Sequence, residues 1–209
     1  PMICGLDVAG EIAELGSDVT EWSVGDRVLI DPRNRVEGGL VGETIHGGLA
    51  EFCRAPDHQL VRIPDDVSFA QAASLPVAYG TAHRMMMTLG KISGGEKCLI
   101  LGASGGVGTG CVMLAKMAGA EVVVCASSED KLERLKGYGA DHGINYIDSA
   151  FEKEVWSLYG KPNRRNFEGG VDMVVNFTGG ETWAPSLKAM KRGARMMTCG
   201  ATAGYDPKT

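Results

Sequence analysis

An apolar run, Lys97 to Leu101, is followed at once by small residues, Gly102 to Gly110, that open a helical stretch. Few folds accommodate that order. The small residues let backbone approach backbone where a buried strand turns into a helix. Downstream the same alternation repeats. Strands are expected at Glu121 to Ala126, Gly143 to Asn145, Val171 to Asn176 and Arg195 to Cys199. Helices are expected at Gly106 to Ala118, Glu129 to Tyr138, Ser149 to Tyr159 and Thr182 to Met190. Short, uniformly apolar strands alternating with helices imply a parallel sheet covered on both faces, with right-handed crossovers.

The first 65 or so residues have another texture. Val8 to Leu15, Arg27 to Ile30, Leu49 to Arg54 and Leu60 to Ile63 read as short strands, with a polar, glycine-rich loop from Pro32 to Gly48. Ser68 and Gln71 fit a capping box, and a helical stretch runs from Pro76 to about Leu89. The reading is therefore α/β, with a doubly wound sheet of the Rossmann type over residues 77–209 and a β-rich region over residues 1–76.

A glycine loop between strand and helix is expected to cradle a diphosphate, the alternative being a turn that only needs positive φ. Small residues admit the ligand's oxygens, and amides at the helix start supply donors and partial positive charge. Ala103, Gly105 and Gly108 give one spacing of the fingerprint, and Gly102, Gly105 and Gly108 give another. The next strand ends Ala126-Ser127-Ser128, without the acid that accepts from an NAD ribose hydroxyl. Ser127, Ser128 and Lys131 offer hydroxyls and a cation instead, so NADP(H) is expected over NAD(H). The two serines are also candidates to cap the following helix.

Other classes are disfavoured. With 44% hydrophobic and 22% charged residues the composition is that of an ordered globular chain. A net charge of −5 offers no basic field for nucleic acid. The longest apolar stretch, Cys111 to Ala126, is interrupted by Lys116 and Glu121 and is no membrane span. No signal peptide is read at the start. The six cysteines form no Cys-x-x-Cys pair and are expected as free thiols in a reducing cytoplasm.

In Gly5 to Gly10, Val24 to Val28, Gly47 to Phe52, Leu75 to Ala82, Gly102 to Gly108, Leu135 to Ala140 with Asn145-Tyr146, and Gly179 to Trp183, the chain resembles the medium-chain dehydrogenase/reductase superfamily, in particular its quinone oxidoreductase-like and alcohol dehydrogenase-like branch that lacks the zinc ligands. The resemblance implies part of a GroES-like catalytic domain followed by a Rossmann domain, an incomplete chain, and a homodimer in the intact protein. It places Thr81, Asn176, Thr178 and Gly179 near the nicotinamide, and Ser104, Gly105, Gly106, Val107 and Gly108 near the diphosphate. Ser127, Ser128 and Lys131 fall near the adenosine phosphate, Tyr146 near the adenosine half, and Gly200 completes the set. Zinc-dependent relatives carry a ligand where this chain has Leu6, and another near Val77; neither side chain has a lone pair to give. His46, His58, His83 and His142 share no ligand spacing, so no metal is expected. Asp7 reads as structural. No catalytic acid is identified, and Tyr79 reads as a packed aromatic more than a proton donor. The expected activity is zinc-independent hydride transfer between NADP(H) and a quinone or α,β-unsaturated carbonyl. The alternatives are an alcohol dehydrogenase of the zinc type and a nucleotide-binding scaffold without turnover.

Overall fold

The computed structural model describes residues 1–163 and 165–206. It divides into two compact units, Pro1–Gly80 and Thr81–Thr209.

In the first unit, β1 (Ala9–Glu11), β2 (Arg27–Ile30) and β3 (Leu60–Arg62) form an antiparallel sheet in that order. Val28 and Ile30 are buried while Arg27 and Leu29 are half-buried, the period-2 signature of a sheet with one covered face. The Arg27 guanidinium donates to the carbonyls of Pro64 and Val67 at 2.7 and 2.5 Å, and lies over the Phe69 ring. Helix α1 (Phe69–Ala73) starts at the expected capping box: Gln71 N donates to Ser68 Oγ at 3.2 Å, and Ser68 N to Gln71 Oε1 at 2.9 Å. The helical stretch that follows has wide, π-type turns at Leu75–Tyr79 and Arg84–Leu89, with α2 (Gly80–His83) between them.

The expected strand from Leu49 to Arg54 does not form. Its alternation suits a strand, but among the described residues no ladder pairs with it, and Leu49 and Phe52 are exposed.

The second unit is a five-stranded parallel sheet: β4 (Lys97–Ile100), β5 (Glu121–Ala126), β6 (His142–Asn145), β7 (Val171–Val175) and β8 (Met190–Met197), in the order β6-β5-β4-β7-β8. Successive residues point to opposite faces. Cys98, Ile100, Val122 and Val124 pack with α3 (Gly106–Met117), α4 (Glu129–Gly137) and Met86. Leu99, Val123 and Val174 pack with Phe151 and Val155 of α5 (Phe151–Tyr159) and with Ala189 of α6 (Trp183–Ala189). Both faces are covered, so the strands read as continuous apolar runs.

Strand β8 begins earlier than expected, at Met190, and ends at Met197, which leaves Cys199 exposed beyond it. Val171 pairs with Met190 and Met173 with Arg195, so the strand carries a bulge in which Gly193 has φ +82°. Among the described residues, no helix is long and apolar enough to cross a membrane.

Candidate functional site

Strand β4 has β5 on one side and β7 on the other, so the chain leaves its carboxyl end where the strand order reverses. That crevice is the ligand position of open α/β sheets. Gly102 makes the bend with φ +64°, a value disfavoured for residues with a Cβ, and a Cβ there would lie 2.7 Å from the Phe177 ring. Gly105 N donates back to the Gly102 carbonyl at 3.1 Å, and Gly105 becomes the N-cap of α3.

The three glycines do different work. At Gly108 a Cβ would meet Ala103 Cα and Gly102 O at 2.6 Å, so only glycine lets the helix pack this closely on the strand exit. At Gly105 the nearest atom to a Cβ is 3.6 Å away. The space above Gly105 is open to a ligand. Thr109 N is the first amide bonded within the turn, to Gly105 O at 2.9 Å, so the amides of Gly106, Val107 and Gly108 precede the helix's own bonding. The geometry thus favours Gly102, Gly105 and Gly108 as the working spacing, and Ala103 is a buried packing residue.

At the tip of β5, Ser128 occupies the N-cap of α4, but its side chain makes no capping hydrogen bond. Lys131, one turn on, donates from Nζ to Ser127 Oγ at 3.0 Å. An ammonium and hydroxyls therefore stand together beyond the strand. Glu129 and Asp130 lie in the first turn of α4, and Glu129 accepts from Asn145 Nδ2 at 3.4 Å.

Tyr146 donates its amide to Ala126 O and is half-exposed. It lines a pocket of about 410 Å³ together with Leu101, Gly102, Cys125, Thr178 and Thr182. Burial pushes the Cys125 thiol up to about 12, so it lines the pocket as a neutral group. Of the residues read from sequence, Tyr146 and Thr178 meet in this pocket. Ser104 to Gly108 form the bend and helix start, and Ser127, Ser128 and Lys131 stand at the neighbouring strand tip. Thr81 is half-buried on α2, and Gly200 follows β8. Asn176 and Gly179 lie inside, with Asn176 fully buried. The pocket residues Leu101, Cys125 and Thr182 were not singled out in the sequence. The alternation from Val123 shows which face Cys125 takes, whereas Thr182 lies in the Gly179 to Trp183 stretch and at a helix start, neither of which marks it as a pocket residue.

The family model described as "Alcohol dehydrogenase GroES-like domain" matches residues 1–65, and that described as "Zinc-binding dehydrogenase" matches residues 106–209. A crotonyl-CoA reductase of Streptomyces avermitilis is 30% identical over 97% of this chain and 52% of that protein. A quinone oxidoreductase-like protein 2 homolog of Nematostella vectensis is 31% identical over all of this chain and 52% of its own length. Among solved structures, an NAD-dependent alcohol dehydrogenase superposes with a TM-score of 0.88 at 32% identity, over 98% of this chain and 62% of that one. A mycobacterial protein complexed with NADPH does so with 0.80 at 29% identity, over 98% and 58%. The chain belongs to the medium-chain dehydrogenase/reductase superfamily. It spans about half the length of the curated relatives it matches.

Within this superfamily the zinc question turns on side chains. Among the described residues, no three His, Cys, Asp or Glu side chains gather in a way that could hold a metal. His46 accepts from Ile3 N at 3.1 Å, His58 meets Asn34 Oδ1 at 3.2 Å, and His142 meets Glu121 Oε1 at 3.0 Å. Leu6 and Val77 are apolar, and Asp7 Oδ1 accepts from Val77 N at 3.1 Å, a helix-start contact. All six cysteines are free, and Cys98, Cys111 and Cys125 are buried, with burial raising each thiol.

Proposed function

We propose that this chain serves an NADP(H)-dependent reductase that delivers hydride to a quinone or an α,β-unsaturated carbonyl without zinc. The observation that carries the cofactor choice is the Lys131–Ser127 pair beyond β5, at 3.0 Å, where an NAD-type site would present a carboxylate. A 2′-phosphate gains charge-assisted hydrogen bonds from such a pair. The diphosphate fits the open space at Gly105 and the free amides of Gly106 to Gly108. Tyr146 and the apolar pocket beside it suit the adenosine half.

When bound, the cofactor supplies the hydride from nicotinamide C4. The chain's own part is to bind, orient and exclude water. Without a Lewis acid, electron-poor acceptors need the least polarisation. Relatives that reduce crotonyl-CoA or are quinone oxidoreductases by name support that acceptor class.

The test is a fluorescence titration with NADPH and NADH, followed by turnover on quinones, enones and alcohols. NADPH is expected to bind about tenfold tighter or better, and Lys131→Ala to remove about tenfold of that preference. Equal binding of the two dinucleotides overturns the cofactor reading. Alcohol oxidation abolished by a chelator overturns the zinc-free one.

A further inference from the structure

Asn176 follows the last residue of β7, where the sheet order reverses, and its side chain is fully buried. A carboxamide in such a place must satisfy two N–H groups and an oxygen. Nδ2 donates to Thr182 Oγ1 and to Ser186 Oγ, both at 3.0 Å. Oδ1 accepts from the amides of Thr178 at 3.0 Å and Gly179 at 3.1 Å. Turning the amide over would aim N–H groups at two N–H donors, so its neighbours fix the orientation. The Thr182 hydroxyl lies 2.7 Å from Gly179 O and closes the turn on itself.

Two of these partners, Thr178 and Thr182, line the 410 Å³ pocket, whereas Asn176 does not. The same turn is fastened to the loop after β8: Gly180 N donates to Gly204 O at 3.0 Å, and Ala203 N to Thr178 O at 2.7 Å. An apolar residue at 176 would continue the apolar run of β7 and suit the core equally well. It would leave the amides of Thr178 and Gly179 without an acceptor.

We propose that Asn176 is a positioning residue for the dinucleotide. Its carboxamide is taken up by the turn itself, and through hydrogen bonds to the Thr178 and Gly179 amides and the Thr182 and Ser186 hydroxyls it sets Thr178 and Thr182 as one wall of the pocket. The inference rests on the reading that this sheet edge takes the cofactor.

The experiment measures the NADPH dissociation constant by fluorescence, well below the unfolding temperature, together with hydrogen exchange at the Thr178 and Gly179 amides. Asn176→Ala is expected to weaken NADPH about tenfold and to speed exchange at both amides. Asn176→Asp keeps an acceptor for both amides, and its second oxygen accepts from the rotated hydroxyls of Thr182 and Ser186. It is expected to restore protection and bring affinity to within about threefold of the parent. A purely structural role would lower the melting temperature of both variants and leave affinity unmoved, and that result overturns the inference. If Asn176→Ala does not fold, Thr182→Val decides: about threefold weaker NADPH supports the inference, and unchanged affinity overturns it. If the parent chain binds no NADPH, the cofactor reading falls and takes this inference with it. If the parent binds and the variants match it, only the inference falls.

Discussion

In the sheet of β1–β3, Val28 and Ile30 are 7% and 5% exposed while Val61 on β3 is 52% exposed; in the sheet of β4–β8, Leu99, Val123 and Val174 are all at 0%. One sheet is covered on one face and the other on both. The same residue type therefore carries different weight in the two units. In the first, a valine on the open face marks strand geometry alone. In the second, each apolar strand residue is packed whichever way it points.

The largest effect that can break this comparison is core truncation. Leu99→Ala is expected to cost about 3 kcal/mol in urea unfolding, and Val61→Ala less than about 0.5 kcal/mol. Equal losses would mean that the open face of the small sheet is covered in solution. Next come the loop glycines of the second unit. Gly108→Val forces a side chain onto backbone 2.6 Å away and should cost about 2 to 3 kcal/mol. Gly105→Ala meets nothing closer than 3.6 Å, so stability should stay within about 0.5 kcal/mol while NADPH binding falls about tenfold. Loss of stability without loss of binding at Gly105 would reassign it to packing.

A smaller effect separates the two units by pH. Burial pushes the Asp141 carboxyl up, but the Val122 amide at 2.7 Å and the Lys116 ammonium at 2.9 Å outweigh it and hold it below its ordinary 3.8. A depressed carboxyl stabilises the fold above its unfolded value, and that contribution disappears as pH falls through the folded value. Asp141→Asn should therefore cost about 1 kcal/mol near neutrality, discounted for its partial exposure, and flatten the loss of stability as pH falls below the ordinary 3.8. In the first unit, Asp26 is lowered by the Ser23 amide and by Arg62, a partner whose own side chain is exposed. Asp26→Asn should show the same sign with the smallest change of the set.

Legibility followed the same division. The bounds of β2 and β5 agree with the expectation residue for residue, because both are short apolar runs between turn signals. The capping box at Ser68 was readable because it is wholly local. Leu49 to Arg54 has strand alternation, but beyond the Leu49 amide's bond to Cys4 O no ladder forms on it among the described residues, and pairing is a non-local property that alternation does not report. The first half of β8 was hidden because Lys191 to Ala194 looks like a turn and is a bulge. At the site, the glycine bend was clear from its context, yet the roles of its three glycines needed the neighbours' positions. Asn176 was placed on the ligand's side, whereas its carboxamide is taken up by the turn behind the wall. A side chain's partners several residues away leave no mark in the spacing.

The ring of Phe177 fills the hollow that Gly102 leaves. The exits of β4 and β7 are consequently geared together: a sideways shift of one bend must push the aromatic ring seated in it. Neither lip of the crevice can close on the other without displacing that ring, so the contact sets how near the two exits come.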